Sequence, residues 1–219
     1  TIISITQGRY MVRLQMDYEF KDENNKPLDN PPSPTLIDVT SQVGIVNNTE
    51  QPIAFEMASF TDWNNDGYDD ISISGNYLKN NGDGTFENVS DKVNIQNYGS
   101  VWADVDNDGY MDFYAARGGT GDRIYFGKSD GTYEESTKNT FAIDAPTVSP
   151  LFLDYDGDGL LDLFVANGRR ESGGVETYYQ DKINKKLGNR EFKDVTVETG
   201  IAASEKATLY DTWGATVCD

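Results

Sequence analysis

The first part of the chain carries a period-two pattern of apolar residues. Apolar side chains occupy every second position of this stretch, namely Tyr10, Val12, Leu14, Met16, Tyr18 and Phe20. This spacing predicts a long β-strand with one buried face, and we assign residues 1–20 to a β-element that precedes the main domain. Residues 21–35 are polar and contain Pro27, Pro31, Pro32 and Pro34. Their composition predicts a linker.

From residue 36 onwards, short apolar runs recur in a fixed order. Each of three acidic loops is followed by an apolar run, as at Ile71–Ile73, and then by a variable stretch and a second run. A glycine-rich turn such as Asn81–Thr85 comes next, and an Asp-Gly pair between apolar runs is a strong hairpin signal. A final segment opens on an aromatic residue, as in Phe86–Ile95. The unit therefore predicts four strands that surround an acidic loop, a variable loop and a tight turn.

The spacing of the unit predicts its architecture. The acidic loops begin at Asp62, Asp104 and Asp154, so that they are 42 and 50 residues apart. This period suits a four-stranded blade of a β-propeller, and the 3.6-residue periodicity of helical repeats is not seen. We therefore predict an all-β chain in which residues 36–219 form propeller blades.

The three loops share the pattern D-x-[DN]-x-D-G-x-x-D. Oxygen-bearing side chains stand at positions 1, 3, 5 and 9, namely Asp62, Asn64, Asp66 and Asp70; Asp104, Asp106, Asp108 and Asp112; and Asp154, Asp156, Asp158 and Asp162. Calcium prefers about six to eight oxygen ligands. The glycine at position 6 permits the positive φ of a loop that wraps around an ion. The motif predicts three Ca²⁺ sites, of which the first is the weakest because Asn64 is uncharged.

Two other structures could contain such loops. An EF-hand requires a glutamate at position 12 and a following helix, whereas position 12 here is Ile73, Ala115 or Val165. Simple Asp-Gly hairpin turns on an acidic surface would not repeat acids at positions 1 and 9 in every copy. We therefore interpret the motif as a calcium-binding hairpin loop.

The end of the sequence has the spacing of another unit. Gly214–Asp219 matches Gly99–Asp104, the segment that leads into the second loop. Asp219 would then occupy position 1 of a fourth calcium loop. We expect the sequence to be a fragment of a longer propeller.

Composition excludes several functions. The chain has 37 acidic and 18 basic residues and a formal charge of −19, which would repel nucleic acid. It has no histidine, so Ser-His-Asp and Cys-His catalysis and histidine-bound zinc are excluded within it. Cys218 is the single cysteine. No stretch approaches the roughly 20 apolar residues of a membrane span.

The variable loops lie at the end of each unit opposite the calcium loops, because successive strands reverse direction. They carry basic and aromatic residues on an acidic background, namely Arg117, Arg123, Arg169, Arg170, Tyr178 and Tyr179. Arginine and tyrosine are favoured at binding hot spots. We predict that this loop face binds a partner, against the plainer alternative of solvated loop tips.

The final segment of the unit, the acidic loop and the Asn-Gly-Asp-Gly-Thr-Phe turn together resemble the FG-GAP/VCBS repeat of integrin α-subunits and cartilage-acidic-protein-like secreted proteins. The resemblance covers about residues 36–219. It implies a propeller, commonly of seven blades, in an extracellular or cell-surface setting. It further implies that the backbone carbonyls at position 7, those of Tyr68, Tyr110 and Leu160, complete the calcium sites.

We therefore expect a non-catalytic, calcium-stabilised module that recognises protein or glycan partners through one loop face, outside the cell or in a periplasm. Its other contacts would be the rest of the propeller or neighbouring subunits. One alternative is a glycan hydrolase or lyase that uses paired carboxylates. Another is a structural subunit of a surface assembly.

Overall fold

The computed structural model describes Lys26, Ile53, Phe141 and residues 39–47, 49–50, 57–118, 121–137, 145–201 and 214–216. The chain divides into two compact units, Thr1–Asp38 and Val39–Asp219, and only Lys26 of the first is described. The predicted strand over residues 1–20, the rest of the predicted linker and Asp219 thus lie outside the described residues.

The first sheet is a four-stranded antiparallel meander. Its strands are β1 (Ala58–Thr61), β2 (Asp70–Ile73), β3 (Asn76–Asn80) and β4 (Phe86–Asn88). The sequence-predicted final segment stays extended only to Asn88, whose Oδ1 accepts hydrogen bonds from the backbone N–H and hydroxyl of Ser90 at 3.0 and 2.6 Å. That turn starts the short helix α1 (Ser90–Val93). No helix among the described residues has the length and apolarity needed to cross a membrane.

Two further four-stranded sheets follow. The second contains β5 (Gly99–Ala103), β6 (Asp112–Ala116), β7 (Arg123–Gly127) and β8 (Tyr133–Glu135). The next strands along the chain are β9 (Thr147–Leu153), β10 (Asp162–Asn167), β11 (Arg169–Ser172), β12 (Val175–Tyr178), β13 (Lys182–Gly188) and β14 (Glu191–Asp194). The third sheet has the order β14-β13-β10-β9, while β11 and β12 pair only with each other. The prediction of an all-β chain with four-stranded units is confirmed.

The longest variable loop, to which the sequence analysis assigned no secondary structure, contains a regular hairpin. Residues 169–178 form the hairpin β11–β12, in which Arg169 pairs with Tyr178. Gly173 and Gly174 connect the two strands with φ values of 60° and 78°. Positive φ at both central residues is the requirement of a tight hairpin turn, and two adjacent glycines satisfy it without strain. The Gly-Gly pair was the sequence signal for this hairpin.

The second sheet is packed on both faces. Every residue of β6 is buried. Phe113 and Ala115 belong to a cluster with Tyr77 of the first sheet, whereas Tyr114 and Ala116 belong to a cluster with Leu163 of the third. Successive side chains of a strand point to opposite faces, so that β6 contributes to two cores at once. The three sheets therefore stack in chain order.

Polar contacts also join neighbouring sheets. Trp102 of β5 donates its indole N–H to the Ser72 hydroxyl of β2 at 2.9 Å. The Thr147 hydroxyl of β9 donates to the Asp122 carboxylate beside β7. The first strands β1, β5 and β9 are in contact in succession. The described residues form three stacked sheets and no closed ring.

Candidate functional site

The three acidic loops connect the first and second strands of their sheets and fold around their own first carboxylate. Asp62 accepts the backbone N–H groups of Asp66 at 3.0 Å and Gly67 at 2.8 Å. Asp104 and Asp154 accept the corresponding groups of their loops at 2.9–3.1 Å. In each loop, the aspartate at position 5 accepts the N–H of position 7 at 2.9–3.1 Å. These bonds hold the carboxylates of each loop on the inside of the turn.

Two positions of each loop have left-handed backbone conformation. The glycine at position 6 has φ of 82–90° in all three copies, as its sequence predicted. Position 4 is left-handed as well, in Asn65, Asn107 and Gly157, with φ of 57°, 60° and 76°. The sequence analysis missed this second position. The signal was present, since asparagine and glycine are the residues that adopt this conformation most readily.

The aspartate at position 9 ties each loop to the third strand of its sheet. Asp70, Asp112 and Asp162 are fully buried. They accept the backbone N–H groups of the third strands at 2.7, 2.9 and 2.7 Å. Burial raises the pKa of all three carboxyls, that of Asp70 to about 6 and that of Asp112 to about 7. A nearby positive charge would favour their ionised form.

Carboxylate oxygens converge in two of the loops. Asp104, Asp106 and Asp108 each place one oxygen within 4.8 Å of the others, and Asp154, Asp156 and Asp162 do the same. Among the described residues, the first loop has no such triad. There the Asn64 amide donates to Asp70 at 3.1 Å. The structure thus brings six of the predicted ligands together in two groups, and leaves Asp112 and Asp158 outside their triads.

Each loop also contacts a cationic side chain, which the sequence analysis did not predict. Lys79 lies 2.7 Å from Asp66, Lys185 bonds Asp156 and lies 2.9 Å from Asp158, and Arg190 bonds Asp106 and lies 3.3 Å from Asp108. Lys79 and Lys185 occupy the same register in β3 and β13, so their similarity could have been recognised. Arg190 belongs to the third sheet but contacts the loop of the second, and no sequence signal marks it.

The residues fit a hard cation at the second loop. Asp106 is only 11% exposed, and its Oδ1 is buried without a hydrogen-bond partner. An unpaired buried carboxylate oxygen is costly unless a cation or a donor satisfies it. This oxygen belongs to Asp106, a member of the aspartate triad of the second loop, and carboxylate oxygens are the ligands that Ca²⁺ prefers. The role of the carbonyls of Tyr68, Tyr110 and Leu160 stays a prediction.

The predicted partner-binding residues lie at the opposite end of the sheets. Arg170 of β11 donates to the Gly118 carbonyl at 3.4 Å, so that the hairpin and the β6–β7 connection are adjacent. Arg123 lies 3.0 Å from Glu135. The remaining residues are Arg169 and Tyr178, which both bond Glu176, Arg117, whose N–H donates to Asp122, and Tyr179, whose N–H donates to Gly168. Carboxylates therefore neutralise part of the positive charge at this end.

Comparison with known proteins identifies the repeat. The family model described as FG-GAP-like repeat matches residues 62–115 and again residues 104–165. Each match begins at position 1 of one loop and extends into the strand that follows the next loop. No curated protein matches the chain. The chain therefore contains FG-GAP-like repeats over residues 62–165.

Proposed function

We propose that this chain is a calcium-stabilised part of a β-propeller that recognises protein or glycan partners outside the cell. One observation carries the calcium assignment: two aspartate triads lie in equivalent loops, and one includes a buried oxygen without a partner. The ligands would be the carboxylates of the two triads, together with Asp62, Asn64, Asp66 and Asp70 in the first loop. The bound ion would hold the first and second strands of each sheet in register.

The propeller assignment is supported by the stacking of the sheets. Each sheet is a four-stranded meander, and the first strands of successive sheets contact one another. Blades of a propeller are arranged in this way around a central channel. Seven blades, the common number for this repeat, would require sheets beyond the three in the described residues.

Recognition is favoured over catalysis by the surroundings of the loop carboxylates. Their oxygens bond backbone N–H groups and the cations Lys79, Lys185 and Arg190. The backbone N–H contacts hold these carboxylates in fixed positions, which suits a structural ion site. Extracellular modules bind calcium with Kd of about 10⁻⁴–10⁻³ M, so that such sites fill where calcium is abundant. FG-GAP-like repeats typically occur in extracellular proteins, which agrees with this setting.

Calorimetric titration with CaCl₂ tests the calcium assignment. We expect uptake of at least two ions, a higher melting temperature with calcium than with chelator, and a much weaker effect of MgCl₂, which demands stricter octahedral geometry. Asn64→Asp should strengthen binding at the first loop because it adds a carboxylate at position 3. No uptake, together with a melting temperature that the chelator leaves unchanged, would refute the assignment.

The partner face is tested with the calcium-loaded chain on arrays of printed glycans and extracellular matrix proteins. The variant Arg169→Ala/Arg170→Ala should lose binding to every positive spot while its calcium uptake stays normal. Lys182→Ala/Lys193→Ala removes the same charge from exposed lysines of β13 and β14 and serves as control. Equal binding by both variants would exclude this loop face as the recognition surface.

A further inference from the structure

A cavity opens between the first and second sheets at the end where the acidic loops lie. Its volume is about 410 Å³. The first loop contributes Trp63 and Asn64, and the second contributes Tyr110. The opposite wall is the turn between β7 and β8, including Thr132. Pockets for small ligands have volumes of about 300–1,000 Å³.

The charged residues that line this cavity are all basic, in contrast to the acidic composition of the chain. Three of its lining residues are lysines, Lys79, Lys92 and Lys128, and none is an aspartate or glutamate. Acidic residues outnumber basic ones by 37 to 18 in the chain as a whole. The smaller cavity of about 170 Å³ beside β8 and the β13–β14 turn includes Glu134 and Glu135 in its lining. The absence of carboxylates from the lining of the 410 Å³ cavity favours an anionic ligand.

The aromatic residues of the cavity are held in place by the core. The Trp63 ring stacks on that of Trp102 with 5.3 Å between centroids, and Tyr133 meets Trp102 edge-on at 6.0 Å. Asn64, Asn65, Ser129 and Thr132 add amide and hydroxyl groups to the lining. Aromatic faces carry negative partial charge and attract the C–H groups of a sugar ring. Amides and hydroxyls match the hydroxyl groups of that ring.

Two of the lysines can exchange their present partners for a ligand. Lys92 lies 3.1 Å from Glu87 and Lys128 lies 3.2 Å from Glu134, and all four side chains are largely exposed. Exposed ion pairs of this kind contribute little free energy, so their loss to a ligand carboxylate costs little. The ammonium groups can then neutralise an anion at the mouth of the cavity.

We propose that this cavity binds an acidic saccharide, with a sugar ring against Trp63 and its carboxylate between Lys92 and Lys128. The site lies at the end opposite the arginine-bearing loops and borders the first and second acidic loops. It would give the chain a second recognition surface.

Titration of the calcium-loaded chain with cellobiouronic acid tests the proposal. Cellobiose, which has a neutral CH₂OH in place of the carboxylate, and triglutamate, a peptide anion, serve as comparison ligands. We expect cellobiouronic acid to bind most tightly and to shift the indole N–H resonance of Trp63. Equal affinity for cellobiose, tighter binding of triglutamate, or no binding of cellobiouronic acid would each overturn the proposal.

A pair of double variants locates the site. Lys92→Ala/Lys128→Ala should weaken cellobiouronic acid binding about tenfold, which is the expected effect of two exposed ion pairs. Lys182→Ala/Lys193→Ala has the same net charge and also removes exposed lysines that pair with carboxylates. It should bind like the unmodified chain, whereas equal weakening in both variants would show non-specific electrostatics. Calcium uptake, measured separately on each variant, distinguishes failure of this proposal from failure of the calcium assignment.

Discussion

The second and third acidic loops have the same motif, but the cationic side chain that contacts each loop comes from a different place: the loop's own sheet in the third, the neighbouring sheet in the second. In the third loop, Lys185 of β13 contacts Asp156 and Asp158 within the same sheet. In the second sheet, the residue at the same register is Phe126 of β7. Its loop instead contacts Arg190 of the third sheet, whose guanidinium lies over the Phe126 ring at 4.5 Å from the centroid.

Arg190 lies in a turn of the third sheet and connects that sheet to the acidic loop of the second. Asn189 and Arg190 connect β13 and β14 as a two-residue turn, with φ values of 48° and 61°. Positive φ at both residues is the requirement of a tight hairpin turn, and the contacts of the Arg190 side chain with the second sheet offset the cost of this conformation for arginine. Lys186 of β13, the strand before this turn, is buried and donates to the Val105 carbonyl in the second loop. The second loop is therefore part of an interface, whereas the contacts of the third loop are local.

The largest expected loss of stability follows substitution of the buried aspartate at position 9, which both loops share. Asp112→Ala and Asp162→Ala each leave a buried backbone N–H of the third strand without an acceptor. Both should lower the free energy of unfolding by about 2–4 kcal/mol, measured by urea denaturation in chelator. A difference of more than about 1 kcal/mol between the two variants would mean that position 9 also acts differently in the two loops.

Acidification should weaken calcium binding at the second loop. Burial raises the pKa of Asp112 to about 7, so that the folded, metal-free chain holds a proton there at pH 6, and a calcium ion at the neighbouring triad would favour release of that proton. Affinity should fall about tenfold between pH 8 and pH 6. The measurement is calorimetry on a chain with Asp62→Asn and Asp154→Asn, which leaves the second loop intact. Adding Asp112→Asn should remove the pH dependence, and a dependence that persists would contradict the assignment to Asp112.

Substitution of Arg190 or of Lys185 should affect the stability of the chain to different extents. Arg190→Ala should lower the free energy of unfolding by about 1 kcal/mol, a modest value because the side chain is 36% exposed and solvent screens its charge. Lys185→Ala should lower the free energy of unfolding by less than Arg190→Ala, because its contacts join parts of one sheet and their loss leaves the packing between sheets intact. Equal effects of the two substitutions would show that Arg190 does not stabilise the contact between sheets.

The smallest effect concerns competition between lysine and calcium. Lys185→Met removes an ammonium group from Asp156 and Asp158 while it keeps the aliphatic stem. Calcium affinity at the third loop should rise about threefold, because the ion no longer displaces an exposed ion pair. Calorimetry on a chain with Asp62→Asn and Asp104→Asn isolates this loop. Unchanged or weaker binding would show that Lys185 does not compete with the ion.

Local patterns account for the parts of the structure that the sequence predicted. Apolar runs and Asp-Gly turns predicted the four-stranded units, because strand alternation and turn geometry depend on neighbours in the chain. The same patterns identified residues 169–178 only as part of a variable loop, although these residues form the β11–β12 hairpin. They also missed the helical turn α1, which forms through the hydrogen bonds of Asn88 with Ser90.

The sequence by itself determined which residues form the acidic loops and on which side of each loop the carboxylates lie. Its 42- and 50-residue spacing also determined that the loops belong to successive sheets. Only the tertiary structure decided which cation each loop contacts and which cavity opens between the loops. Arg190 is 84 residues from Asp106, and the lysines of the cavity come from two sheets. Such contacts depend on how the sheets stack, and no pattern within one repeat encodes that arrangement.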